Sequence, residues 1–330
     1  ESKIIDKISL IGYTSLGFFT LSFTFLLAKD FLFQLFSFIN NTFNDQQIVD
    51  ESKRDFIKKS VSIGIIGLTG SATAYGFYKA RKGPHVIKEN IFLKNLPSEF
   101  ENYKIAQISD LHVGPTIKRP YVEKVFDTIA NVNPDMLAVT GDLVDGSVEN
   151  LRSDLEPFKD MIARDGTFFV TGNHEYYSGV DRWLDETDRL GMTNLINSKT
   201  IIEKQGSEIC IAGITDFRAH QIKKSHRSNP KSALNNVRKN VPKIVLAHQP
   251  NSIFSVHDAG ADLQLSGHTH GGQFVPFNFP TKLANAYLSG LYDHEGTQIY
   301  VNRGTGYWGP PLRLGIPSEV TEITLKKLVT

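Results

Sequence analysis

Five short apolar runs in this 330-residue chain each end in side chains able to hold a cation. One of them, Asp135 to Thr140, lies between Pro134 and Gly141 and hands over to Asp142 within Ala138 to Gly146, AVTGDLVDG. A run this short and apolar, closed off by Pro and Gly, reads as a buried strand of a parallel sheet. Asp142 then falls just past the carboxyl end of that strand, where open α/β sheets place their ligands. Tyr103 to Ser109 leads in the same way to Asp110-Leu111-His112, and Gly166 to Thr171 leads to Gly172-Asn173-His174-Glu175. Lys243 to Ala247 leads to His248, and Asp262 to Ser266 leads to Gly267-His268-Thr269-His270. Carboxylate, amide oxygen and imidazole are the donors that suit manganese, iron or zinc.

Taken singly, each piece has an ordinary explanation. Asp110 or Asp142 can cap a helix, Asn173 after a glycine can be a turn residue, and a lone histidine at a strand end is more often hydrogen-bonded than metal-bound. The conjunction is what departs from chance, because four of the five runs bring histidine in a chain with ten histidines. His85, His220, His226, His257 and His294 lack this strand-end context and are left out of the set.

In order, D-x-H, GDxxDG, GNHE, a lone H and GHTH resemble the calcineurin-like metallophosphoesterases, from about Tyr103 to Gly272. GHTHGGQ (Gly267 to Gln273) and NRGTGYWGPPLRLG (Asn302 to Gly315) further resemble the bacterial branch of membrane-linked phosphodiesterases. The resemblance implies that Asp110, His112 and His270 hold one metal, that Asn173, His248 and His268 hold the other, and that Asp142 bridges both. It implies His174 as the acid. The cofactors expected are two divalent metal ions, manganese, iron or zinc. Two cations about 3.5 to 4 Å apart share a hydroxide, clamp phosphate oxygens and stabilise an in-line displacement. A carboxylate suits the bridging position because it has two oxygens and offsets repulsion between the cations.

The alternation of strands with helical patterns, at Arg119 to Val132 and Leu151 to Ile162, gives βαβ units and a parallel sheet. Gly83 to Glu101 leads in, with an edge strand at His85 to Phe92. After Thr193 the chain turns strand-rich, at Thr200 to Lys204, Glu208 to Ile214, Gln298 to Asn302 and Val320 to Lys327. The fold expected is an α/β four-layer sandwich, two mixed sheets flanked by helices, which the resemblance also implies. Tyr176 and Tyr177 are candidates for the substrate wall, with core packing as the alternative. Arg303 and Arg313 are candidates for binding phosphate or a headgroup, with a structural salt bridge as the alternative.

Upstream, residues 1–82 read as a membrane region and residues 83–330 as the phosphoesterase domain. Ile8 to Ala28 holds twenty-one residues without a charge. As a helix it spans about 31 Å, which matches the hydrocarbon thickness. Phe31 to Ile39 is too short to span alone and reads as an interfacial segment or a helix extension. Asn40 to Lys59 reads as a polar loop. Ser60 to Tyr78, nineteen uncharged residues with lysines on both sides, reads as a second span or an export signal. Ser52 to Lys58 resembles a twin-arginine export motif with Lys53 in place of the first arginine. Glu1 is not an initiator methionine, so a processed chain or a piece of a longer one is expected.

A formal net charge of +1 argues against a polyanion partner, and no nucleic acid is expected. The single cysteine, Cys210, excludes an intrachain disulfide and reads as a buried thiol. The function expected is hydrolysis of a phosphodiester or pyrophosphate in a lipid or envelope polymer, with the catalytic domain outside the cytoplasmic membrane. Two alternatives stand beside it. One is a cytoplasmic-facing pyrophosphatase acting on a UDP-sugar lipid, and the other is a non-catalytic, membrane-tethered interaction module.

Overall fold

The computed structural model describes residues 3–43, 51–161 and 163–328. Two six-stranded mixed sheets stack face to face. The first runs in the order β1 (His85–Leu93), β12 (Glu319–Lys327), β2 (Lys104–Ile108), β3 (Met136–Val139), β4 (Thr167–Phe169) and β5 (Thr193–Asn194). The second runs β10 (Gly290–His294), β11 (Thr297–Val301), β9 (Leu263–Ser266), β8 (Lys243–Leu246), β7 (Ser207–Gly213) and β6 (Ser198–Lys204). β2, β3, β4 and β5 are parallel, as are β7, β8, β9 and β11. Antiparallel pairing enters at β12 with β2 and in the two outer hairpins, β6 with β7 and β10 with β11.

Strand periodicity sorts side chains between the layers. Ile105, Met136, Ala138 and Phe168 face Ile211, Ile244, Leu246 and Leu265 across the inter-sheet core. The alternate residues Ala106, Ile108, Leu137 and Val139 pack outward, under α3 (Arg119–Val132) and α4 (Val148–Leu155). Cys210, Ala212 and Val245 pack outward from the second sheet and meet Ala233 and Val256 of the helices there. The expected four layers are therefore present. The edge strand at His85 is β1, which pairs with β12 alone.

Three expectations need correction. The helix expected over Leu151 to Ile162 instead starts at Val148, ends at Leu155 and tightens into a 3₁₀ turn over Glu156–Asp160, where Pro157 interrupts it; Ile162 lies outside the described residues. β5 and β10 were not anticipated, because two residues in one case and a half-exposed polar edge in the other carry no apolar run. The polar loop over Asn40 to Lys59 is largely helix. The first helix, α1, covers Lys3–Phe43 without a break, so Phe31 to Ile39 is a helix extension, and α2 covers Glu51–Lys82. Residues 44–50 of that expected loop lie outside the described residues.

Among the described residues, one helix is long and apolar enough to cross a membrane, over Lys3–Asn40. Ser60 to Tyr78 lies within α2, where Gly, Ser, Thr and Tyr dilute the apolar character. α1 and α2 pack together, and the first half of α1 and the last turns of α2 meet the sandwich at a seam. Leu21 of α1 is fully buried with Leu312 and Phe274, and a Cβ on Gly17 would lie 2.5 Å from Leu312 Cδ1. Gly76 of α2 accepts a 3.0 Å hydrogen bond from Arg313 N, and Arg81 donates to Thr116 O and Tyr307 Oη.

Candidate metal centre

All five apolar runs deliver their polar ends to one edge of the stacked sheets. The turns that do this are unusual. Asp110, His112, Asp142, His268 and His270 all have φ between 51° and 71°, the left-handed region that non-glycine residues rarely occupy. Such strain persists only where the surroundings over-determine it, and it clusters at functional sites. Here the surroundings are backbone: Asp110 N donates to Gly141 O at 3.0 Å, and His112 N donates to Asp142 O at 3.1 Å. Two glycines permit the close approach. A Cβ on Gly172 would lie 2.1 Å from Asp142 Oδ1, and one on Gly267 would lie 2.2 Å from Asp110 Oδ2.

The side chains gather into two clusters joined by a third, His112, Asp142 and His174, that shares a residue with each. In one, His270 Nε2 lies 3.4 Å from Asp110 Oδ1 and 3.1 Å from His112 Nε2. In the other, His248 Nε2 lies 3.2 Å from Asp142 Oδ2 and 3.2 Å from His268 Nδ1. Asp110, His112 and His270 form one set whose ligand atoms lie within 4.8 Å of one another, and Asp142, His248 and His268 form another. His112 Nε2 sits 3.8 Å from Asp142 Oδ2 and links the two. Among the described residues, the Oδ1 of Asn173 is buried without a hydrogen-bond partner. A buried amide oxygen left unpaired is costly in an ordinary core, and a cation would satisfy it. The residues present therefore fit a pair of divalent ions.

Outer contacts fix the imidazoles. His248 Nδ1 donates to Thr140 O at 2.8 Å, leaving Nε2 free toward Asp142. His112 Nδ1 pairs with Asp145 Oδ2 at 3.1 Å, and the other oxygen of Asp145 makes a short contact with His174 Nδ1. Asp145 therefore orients both rings. It is the second aspartate of the GDxxDG motif, a position that the sequence reading left without a role. Glu175 is a second residue that went unassigned. It is fully buried and accepts from the backbone N–H groups of Asp142, Leu143 and Gly172, which sews two ligand turns together.

In the metal-free chain the buried carboxylates and imidazoles shift one another strongly. Burial opposes charge on His112, but Asp145, Asp142 and Asp110 push it up to about 9, and His248 is raised likewise by Asp142. Burial would raise Asp142, yet His248 and His112 hold it well below the usual carboxylate range. Burial and the neighbouring Asp142 push Asp110 and Glu175 up, the latter to about 7. Burial, with His248, pulls His268 down to about 3, and burial with His112 and Arg313 pulls His270 down. Both are neutral imidazoles at physiological pH, the form that binds metal.

The remaining candidates divide. His174 N donates to Asp142 Oδ1 at 2.8 Å, and its Nε2 faces the cluster, 3.9 Å from Asp142 Oδ2. Tyr177 is exposed, with its ring 5.3 Å from that of His174. Trp308, not anticipated, stands 5.8 Å from the same ring. Tyr176 is buried and bonded to His226 Nδ1 at 2.9 Å, which is the core-packing alternative. Arg313 is 1 % exposed, and its guanidinium donates to the carbonyls of His270, Arg303, Gly304 and Gly306. It is closed to a substrate. Arg303 makes a 2.6 Å ion pair with buried Glu319, the salt-bridge alternative.

Residues 103–272 match the family model described as Calcineurin-like phosphoesterase. The chain is 32% identical over 328 residues to a "Transmembrane protein with metallophosphoesterase domain" of Danio rerio, covering 97% of this chain and 74% of that protein. It is 37% identical over 277 residues to an "Uncharacterized metallophosphoesterase" of Helicobacter pylori, covering 83% of this chain and 72% of that protein. Such relatives therefore occur in animals as well as in bacteria. Among solved structures, the calcineurin-like phosphoesterase YfkN of Bacillus subtilis superposes with a TM-score of 0.41 at 19% identity, over 62% of this chain and 82% of that one.

Proposed function

Because the chain belongs to the calcineurin-like phosphoesterase family, whose members bind divalent metals at a dinuclear site, we propose that it is a membrane-anchored hydrolase of phosphodiesters or pyrophosphates at the bilayer surface. One observation carries the reading: seven donors from five strand ends converge on one edge, with the Asn173 amide oxygen left for a ligand. Asp110, His112 and His270 would hold one ion and Asn173, His248 and His268 the other, with Asp142 between them. Bound there, the ions activate water and neutralise phosphate oxygens. His174 is held by Asp145 through Nδ1, so its Nε2 is aimed at the place where a leaving oxygen would sit, and an imidazolium there delivers the proton. Tyr177 and Trp308 flank that proton donor and limit water on the leaving-group side.

The test is turnover of a soluble nitrophenyl phosphodiester by the purified full chain, first stripped of metal and then reloaded with manganese, iron or zinc. Activity that returns with metal supports the reading. A chain that binds metal yet turns over neither diesters nor pyrophosphates would instead be a tethered interaction module.

We place the catalytic domain outside the cytoplasmic membrane. Basic residues flank Ser60 to Tyr78 on both sides, so charge count does not choose a side. The export-like Ser52 to Lys58 would be read in the cytoplasm, which favours the hairpin tip inside and the sandwich outside. Protease added to intact spheroplasts should digest the domain carrying His270. Protection until lysis would reverse the orientation and favour a cytoplasmic lipid-precursor pyrophosphatase.

A further inference from the structure

A groove of about 620 Å³ runs from the candidate metal centre to the first helix. His268 and His270 line it together with Leu16 and Thr20 of α1. Further walls are Phe274, Phe277, Pro280, Ala284, Trp308 and Pro310. Its size lies in the range of small-molecule sites, about 300 to 1,000 Å³.

Among the described residues, most polar side-chain atoms along this groove are already used. Thr20 Oγ1 donates to Leu16 O at 2.6 Å, and Thr281 Oγ1 donates to Phe277 O at 2.8 Å. The Gln273 side chain donates to Trp308 O and Pro310 O and accepts from Trp308 N. A sugar or nucleoside would find few free partners between α1 and the histidines, and its own hydroxyls would go unpaired. A hydrocarbon chain loses nothing there.

The rim points the same way. Phe279 and Leu283 on α9 (Asn278–Ala284) are strongly exposed, the latter at 90 %, and Val275 beside them is half-exposed. A water-facing surface rarely leaves such a cluster bare, and contiguous apolar patches mark membrane or partner contacts. α1, the helix long enough to cross a bilayer, forms the far wall of the same groove. We propose that the groove seats an acyl or isoprenoid-like chain of a lipid-linked phosphoester, which enters from the bilayer along α1 and α9 and brings its phosphate to His268 and His270. This rests on the hydrolytic reading above and assigns its substrate class.

The experiment uses the full chain in mixed detergent micelles with manganese. A short-chain and a long-chain alkyl nitrophenyl phosphodiester are compared by their kcat/KM, and Ala284→Trp and Thr20→Trp each narrow the groove. Ala284 is exposed, so the bulky replacement there leaves the core intact. Binding of non-cleavable alkyl phosphonates of increasing chain length, followed by quenching of Trp308, gives a readout independent of turnover. Each methylene seated should tighten binding roughly fourfold. The wild-type chain should prefer the long diester, and each block should cut the long-to-short ratio by at least about tenfold, the worth of two methylenes. A long-chain preference that survives both blocks would trace to micelle partitioning and overturn the groove. So would phosphonate affinity that does not rise with chain length. Absence of metal-dependent turnover on either diester would sink the hydrolytic reading instead, and the phosphonate series would then decide the groove alone.

Discussion

At the carboxyl ends of β2, β3 and β9, side chains are placed by backbone: left-handed turns, N–H to carboxylate bonds and glycines that let one turn touch the next. At the seam with α1 and α2, placement comes from interdigitation, with Leu312 lodged between Gly17 and Gly76 and covered by Leu21. The first region is polar, strained and dense in hydrogen bonds. The second is apolar, unstrained and held by shape. Arg313 joins them, its backbone N on the Gly76 carbonyl and its guanidinium on the carbonyls behind His270. The contrast teaches that ligand geometry here is local to strand ends, whereas the approach to the membrane depends on contacts between residues almost three hundred positions apart in sequence.

Breaking the polar region should have the largest effect. Asp142→Asn removes the carboxylate proposed to lie between the two ions, so metal content and turnover should fall together to background, measured by elemental analysis and diester hydrolysis. Near wild-type turnover with full metal content would refute its bridging position. His174→Ala should keep both ions and lose about 10² to 10⁴-fold in turnover, the usual worth of a positioned acid. The loss should shrink with a nitrophenolate leaving group; equal losses for good and poor leaving groups would remove the acid role. Asp145→Asn leaves every candidate ligand in place but loosens the His112 and His174 rings, and losses from such outer contacts run roughly 10- to 100-fold. Its pH–rate profile should change shape as well as height. A flat comparison with wild type would show that the rings need no such support.

Breaking the seam should leave chemistry nearly untouched. Leu312→Ala opens a cavity between hairpin and sandwich, worth about 2–5 kcal/mol of stability. It should lower the unfolding temperature of the full chain in detergent while metal content stays constant. If metal content fell with it, the two regions would be one cooperative unit through Arg313. The smallest effect is in pH. His112, raised to about 9, contributes stability to the metal-free chain that is complete below about 6.5 and is lost as pH rises through 9. Raised His248 acts in the same direction, and Glu175, raised from 4.5 to about 7, loses its contribution at lower pH, as pH rises through 7. The thermal stability of the metal-free chain should therefore fall as pH rises from about 6.5 through 9, and metal loading, which displaces the protons from His112 and His248, should flatten the trend.

How much of this was legible follows from which forces act over short stretches of chain. Apolar runs of five or six residues ending in Asp110, Asp142, Asn173, His248 and His268 announced both the parallel strands and the polar edge, because strand period and strand-end chemistry are written in consecutive residues. The same reading passed over Asp145 and Glu175, since a carboxylate that orients another side chain looks like any turn acid until its partner, thirty residues away, is beside it. It offered Arg313 as a phosphate ligand, whereas the tertiary structure surrounds that guanidinium with carbonyls.

By itself, then, the sequence determined the sandwich, the polar residues at its strand ends and the apolar length of α1. Only the tertiary structure decided that Phe31 to Ile39 continues α1, that Asp145 orients two rings and that Trp308 stands beside His174. Only it brought Leu16 and Thr20 to one groove with His268 and His270. Periodicity and motif order depend on neighbours in the chain, but burial and close approach between distant segments depend on how whole layers pack, and no local pattern encodes that.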